Sequence, residues 1–181
     1  TIDGLKRVNV EEATAGDMEA LDFIEWLCDL PYKHKIFIAG NHDDCMLDAS
    51  LEGLPKDVHY LSDSGITIDG ILFYGAPMFV VFGGKELKEV EHYEQIPDNT
   101  DILITHRPPL GILDSIDDHI HYGSSILLDK ISNIKPQMHL FGHVHSAYGT
   151  MDWKGVTFSN AGLTDWKYDI QYSPQLLEIN I

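Results

Sequence analysis

The chain reads as an α/β layered sandwich with mixed sheets, and three observations predict it. Short apolar segments of strand type alternate with segments of helical periodicity. Two strand pairs are joined by tight hairpins, and no linker, repeat or low-complexity tract interrupts the alternation, so residues 1–181 read as a single domain. Alternation favours parallel strands with helices on the faces, and the hairpins add antiparallel edges.

The elements follow in order. Met18, Leu21, Ile24, Leu27 and Cys28 recur at helical spacing, with Asp17 placed as N-cap, Glu19 in the first turn facing the helix dipole, and Pro31 to stop the helix. Lys35–Ala39 reads as a buried strand that ends at Gly40. Ile66–Ile68 and Ile71–Phe73 flank Asp69-Gly70, a dipeptide suited to the positive backbone dihedrals of a type I′ turn. Lys85–Tyr93 reads as a charged helix, Asp101–Thr105 as a buried strand, Ser124–Ile131 as a helix and Gln137–Phe141 as another strand. A second hairpin about Trp153-Lys154-Gly155 leads into Val156–Phe158, and Leu176–Ile181 is expected to close the fold as a strand.

Composition narrows the function classes. At 181 residues, 44% hydrophobic and 23% charged, the chain can bury about two-thirds of its unfolded surface, so neither disulfides nor a structural metal are needed for a core. The longest apolar run, Ile71–Phe82, contains Gly75 and Pro77 and falls short of the roughly 20 residues that span a bilayer. The polar, mixed-charge start at Thr1 does not resemble a signal peptide. Cys28 and Cys45 form no CxxC, which argues against a disulfide framework or thiolate zinc site and points to a reducing cytoplasm. With 12 basic against 29 acidic side chains the net charge is −17, which disfavours long nucleic acid and anionic membrane as partners and favours divalent cations.

Three buried strands end in the same kind of residues: Gly40-Asn41-His42-Asp43, Thr105-His106-Arg107-Pro108-Pro109 and Gly142-His143-Val144-His145. In α/β sheets, ligands gather beyond the carboxyl ends of strands, where loops present side chains without disturbing the core. Any one of these histidines alone reads as an ordinary polar loop residue. Asn41-His42-Asp43 alone reads as a turn or helix cap, and Pro108-Pro109 as loop stiffening. Repetition at three matching positions is what singles them out. His143 and His145, two residues apart in extended chain, would face the same side at about 7 Å and could serve neighbouring ions. Gly40 and Gly142 would let the backbone approach an ion or phosphate. His34, His59, His92, His119, His121 and His139 lack this placement and read as structural.

In this order the motifs resemble those of the calcineurin-like metallophosphoesterases, specifically their small stand-alone phosphodiesterase-like branch. The resemblance runs from about Met18 to the C-terminus and includes the Leu21–Leu30 helix, Pro31–Ala39 and Ser159-Asn160-Ala161. It implies a four-layer α/β/β/α sandwich of two mixed sheets carrying a pair of divalent transition metals at one edge. It further implies that Asn41, His106 and His143 hold one metal, that His145 belongs to the other, and that His42 protonates the leaving oxygen. The implied reaction is hydrolysis of a small phosphodiester or nucleotide-type substrate by a metal-activated water. Imidazole and amide oxygen suit Mn, Fe, Ni or Zn better than Ca.

The pattern departs from the family at its start. The Asp-x-His and Gly-Asp motifs that end the family's first two strands are not intact: Thr1–Val10 holds no Asp-x-His, and Gly16-Asp17 lies too close to Asn41. The first β-α segment is therefore expected to be missing, with Glu11 nearest the position of the bridging carboxylate. Without anionic ligands two adjacent divalent ions repel each other, so the chain is expected to hold one metal weakly or none. The alternative function is a weakened or inactive phosphoesterase scaffold that acts as a binding or interaction protein.

Overall fold

Six strands build the sheet on which the candidate site stands, and their side chains alternate between two buried faces. The computed structural model describes residues 6–8, 15–46, 50–77, 87–117 and 120–179. In chain order the elements are β1 (Lys6–Val8), α1 (Ala15–Asp29), β2 (Lys35–Phe37), β3 (Ser50–Glu52), β4 (Val58–Tyr60), β5 (Ser64–Ile68), β6 (Ile71–Ala76) and α2 (Leu87–Glu94). They continue with β7 (Ile102–Thr105), β8 (Ser115–Asp117), β9 (Ile120–His121), α3 (Ser125–Ile134), β10 (Met138–Phe141), β11 (Gly149–Trp153) and β12 (Val156–Asn160). The large sheet has the order β11-β12-β10-β7-β6-β5. Its four inner strands run parallel, and its edges β5 and β11 pair antiparallel through hairpins. Smaller pairs are β2-β4, parallel, and β1-β3 and β8-β9, antiparallel.

Strand alternation creates the layers. On one face of the large sheet, Tyr74, Leu103, Phe141 and Phe158 pack with Tyr93 and Ile96 at and after α2 and with Leu127 and Ile131 of α3. On the other, Ile71, Phe73, Ile102, Ile104, Met138 and Leu140 form a second apolar layer. Gly75 shows what that second face meets: a Cβ there would lie 2.4 Å from Leu61 Cβ and 2.8 Å from Ile38 Cγ2, atoms carried just beyond β4 and β2. The two sheets therefore lie face to face. Beyond the smaller one, Ile24 of α1 packs on Phe37, Ala39 and Val58. This is the expected α/β sandwich, with helix, two sheets and helices in succession.

Local chemistry placed most elements. Asp69 (φ 51°) and Gly70 (φ 90°) make the β5-β6 turn, and Lys154 (φ 50°) and Gly155 (φ 84°) make the β11-β12 turn. Ser124 caps α3 by accepting from Leu127 N–H at 3.1 Å. Two expectations need correction. Helix α1 begins at Ala15, so Asp17 lies inside its first turn rather than at the cap, because a capping-type residue does not by itself fix where the first turn opens. Leu176–Ile181 is not a strand over its described residues: Leu176 is 95% exposed, Leu177 packs on the Ile71–Ile102–Met138 layer, and the Gln175 side chain bonds Ser159 and Asn160. The large sheet ends at β5 and β11, so this segment crosses a face through side-chain contacts and joins no ladder. Glu11, His119, Lys85–Glu86 of the expected charged helix and residues 180–181 of the expected last strand lie outside the described residues.

The close approach at Gly75 generates a stability test. Gly75→Ala is expected to destabilise the protein by about 1–3 kcal/mol, because the new methyl overpacks the space between the sheets. A urea midpoint equal to that of the parent would show that the sheets part there without cost.

Candidate metal centre

Each of the three motifs is shaped by its backbone. After β2, Asp43 N–H donates to Gly40 O at 3.0 Å and Gly40 N–H donates to Asp43 Oδ2 at 2.6 Å, closing a turn that presents Asn41 and His42. The carboxylate of Asp43 is thereby engaged in holding the turn. A Cβ on Gly40 would stand 3.0 Å from His106 Cε1, so glycine here lets the turn lie against the imidazole. His143 sits at φ 69°, and Val144 N–H donates to Gly142 O at 2.8 Å, making a three-residue turn of the strained kind about the imidazole-bearing residue. Buried Asn160, at the end of β12, secures that turn by donating to Val144 O at 2.8 Å and Leu113 O at 3.1 Å.

These turns bring three donor atoms together. His106 Nε2 lies 2.6 Å from Asn41 Oδ1 and 3.0 Å from His143 Nδ1, and His143 Nδ1 lies 3.3 Å from Asn41 Oδ1. Such a triangle fits a first-row ion, because bonds of about 2.1 Å meeting near right angles separate neighbouring donors by about 3 Å. Among the described residues no group of three or more His, Cys, Asp or Glu side chains could hold a metal, so the triad owes its third donor to the Asn41 amide. The donor set fits one borderline ion; a second full set is not found among the described residues.

The electrostatics suit neutral ligands. Burial, followed by the neighbouring imidazoles of His143, His42 and His145, lowers the pKa of His106 to about 4. Burial, with the Arg107 guanidinium next, also lowers that of His143. Arg107 is itself anchored, donating through Nε to Tyr122 O at 2.7 Å and standing 3.4 Å from Glu89.

The remaining two predicted residues stand beside the triad. His145 acts electrostatically on both His106 and His143, but its Nδ1–H donates to Asp165 O at 2.9 Å, which directs Nε2 elsewhere and leaves it able to accept or ligate. His42 Nε2 lies 3.3 Å from the Tyr168 hydroxyl. The structure thus joins Asn41, His106 and His143 directly and sets His42 and His145 around them.

His139, which the sequence marks as structural, supports this site. It is fully buried, with Nε2 2.8 Å from Thr105 Oγ1, and that hydroxyl donates to Arg107 O at 2.6 Å. A hydroxyl has one proton, so Thr105 must accept from His139 Nε2–H. This assignment leaves Nδ1 as a bare lone pair, consistent with its having no partner, and burial lowers the pKa of the ring to about 3. The chain of bonds pins both sides of the peptide segment that carries His106. Position 139 of an apolar strand carries no motif, and only the register of β10 on β7 reveals the role.

A mixed sandwich with metal-type side chains at the carboxyl ends of its strands defines a metallophosphoesterase-type scaffold. The calcineurin-like phosphoesterase family matches residues 14–147, and the chain belongs to that family. Similar proteins include a UPF0046 protein of Caenorhabditis elegans, 33% identical over 86% of this chain and 61% of its own length. Another is the human metallophosphoesterase domain-containing protein 1, 31% identical over 89% of this chain and 60% of its own length. The chain therefore spans about three-fifths of these relatives. A crystal structure with 17% identity superposes with a TM-score of 0.57 over 80% of this chain and 63% of its own, a likeness of fold.

The half-buried imidazole of His106 and the buried one of His139 make a testable case. Because their folded pKa values lie below the unfolded 6.5, the unfolded chain binds more protons in that window. The stability they contribute is whole above pH 6.5 and is lost as the pH falls through the folded values, about 4 for His106 and about 3 for His139. In the metal-free protein, imidazole NMR resonances of His106 and His139 are expected to stay neutral at about pH 5.5, where an ordinary histidine is mostly charged. His139→Leu is expected to weaken Mn binding about 10- to 100-fold by calorimetry, while His139→Gln, which keeps a donor, retains most of it. Unchanged affinity in the leucine variant would remove His139 from the support of the site.

Proposed function

We propose that the chain is the core of a metal-dependent phosphoesterase that hydrolyses a small phosphodiester or nucleotide-type substrate. The observation that carries this reading is the convergence of Asn41 Oδ1, His106 Nε2 and His143 Nδ1 within 3.3 Å, with His42 on the same turn as Asn41. These three residues would hold Mn, Fe, Ni or Zn, and His145 would serve a second ion where further ligands complete it. When bound, the metal supplies charge neutralisation on the phosphoryl oxygens and activation of a water. The chain's own part is to keep three donors neutral and converged, and to offer the His42 imidazole to the leaving oxygen as a proton donor.

Partner and setting follow from charge and chemistry. A net charge of −17 disfavours long nucleic acid and anionic membranes, which leaves a small phosphoester as the preferred substrate class. Among the described residues no helix is long and apolar enough to cross a membrane. With two cysteines, Cys28 and Cys45, and no CxxC, the sequence supports the reading of a reducing, cytoplasmic compartment. A second reading, a weakened or inactive scaffold that binds without turning over, is favoured by one observation: the three converging donors, an amide and two imidazoles, carry no negative charge of their own.

Hydrolysis of bis-p-nitrophenyl phosphate with added Mn or Ni separates the two. In the full-length protein His143→Ala is expected to abolish hydrolysis and metal binding together. His42→Ala is expected to leave metal binding intact while slowing turnover by about 100- to 10,000-fold. A His143→Ala rate equal to the parent's would displace the site, and a parent inactive with every metal would favour the binding scaffold.

A further inference from the structure

One side chain outside the donor set touches both flanking histidines. The Tyr168 hydroxyl lies 3.3 Å from His42 Nε2, its ring centroid is 6.0 Å from that of His42 at 86°, and it is 5.7 Å from that of His145 at 77°. The loop that carries it is built around Asp165. Oδ1 of Asp165 accepts from Lys167 N–H at 2.8 Å and Asp169 N–H at 3.1 Å, and Oδ2 accepts from Gln171 Nε2 at 3.1 Å. The Asp165 carbonyl accepts from Tyr168 N–H at 3.0 Å and from His145 Nδ1–H at 2.9 Å, so one peptide oxygen positions the tyrosine and the histidine together. Thr164 bridges Ile170 across the base of the loop.

Two features set Tyr168 apart from a packing residue. It is held at φ 66°, a region that a bulky side chain occupies only when its surroundings impose it. It nevertheless remains 63% exposed, so an aromatic ring is fixed at the polar site without being covered. A general acid must touch the oxygen it protonates, so the atoms beyond the leaving oxygen come to the side of His42 where Tyr168 stands. A small aliphatic group would cover little of the phenol ring, whereas a flat aromatic group can stack on it or meet it edge to face.

We propose that Tyr168 is the wall of the leaving-group subsite and that the departing alcohol is aromatic, an aryl phosphoester. This rests on the phosphoesterase reading above. Tyr168 selects by its ring face, and its hydroxyl contact with His42 is secondary to that selection. The reaction itself is unchanged: water adds its oxygen to phosphorus and releases one proton to solvent, the P–O bond to the aryl group breaks, the aryl oxygen leaves as the phenol with the proton from His42, and His42 regains a proton from solvent.

Calorimetric binding of phenylphosphonate and methylphosphonate to the Mn-loaded full-length protein tests this without turnover, because their P–C bonds resist hydrolysis. The parent is expected to bind phenylphosphonate about tenfold more tightly than methylphosphonate. Tyr168→Asn, which removes the ring while tolerating positive φ, is expected to bring that ratio to about one and to change methylphosphonate affinity less than about twofold. Tyr168→Phe is expected to keep the parental ratio. Equal binding of the two probes by the parent, or an undiminished ratio in Tyr168→Asn, overturns the aromatic subsite while leaving the phosphoester site standing. A parent that binds neither phosphonate overturns the phosphoesterase reading and the subsite with it.

Discussion

Three electron-rich atoms, Asn41 Oδ1, His106 Nε2 and His143 Nδ1, are held within 3.3 Å of one another, and much of the surrounding structure exists to keep them there. Lone pairs at this separation repel unless a proton or a cation lies among them, and one shared proton cannot bridge three edges equally well. The 2.6 Å edge is already shorter than an ordinary N–H···O hydrogen bond. The cost of convergence therefore has to be met by the scaffold. The strained backbone at His143 and the buried Asn160 under Val144 hold the His143 corner, the His139–Thr105–Arg107 chain holds the His106 corner, and the side chain that Gly40 lacks lets the Asn41 turn lie against His106.

Parallel pairing makes this possible. β7 and β10 are neighbours in register, Leu140 opposite Ile104, so their carboxyl ends emerge together and the residues just beyond them meet. The same pairing places His139 beside Thr105 one layer below, where helices cover the sheet and water is excluded. β2 belongs to the other sheet, and its turn reaches the site only because the two sheets approach closely at Gly75. A change in sheet separation would move Asn41 and His42 relative to both other motifs at once.

How much of this was legible in the sequence depends on the range of the interaction. The Asp69-Gly70 and Lys154-Gly155 turns are decided within two residues by positive φ, and the strand-end motifs are decided by type and order. Leu176–Ile181 failed because an apolar pattern cannot say whether a sheet edge is available to receive it, and the edges lie at β5 and β11. Asp17 failed because a helix can begin before its best capping residue. His139 and Tyr168 carry no local signal: the first depends on register across 34 residues, the second on a contact across 126.

The charge distribution completes the argument. The chain carries −17 overall, but the donors that converge are neutral, and burial keeps His106 and His143 from competing for protons near neutral pH. The global field raises the local concentration of cations at long range, whereas affinity depends on what the first ligands can neutralise. Neutral donors leave the full charge of a bound ion exposed to whatever ligand enters next. On the phosphoesterase reading proposed above, an incoming phosphoryl group would supply the anionic oxygens that these three donors lack, and the substrate itself would become part of the charge balance. Metal and phosphoester should then stabilise each other's binding, reciprocally and by the same free energy.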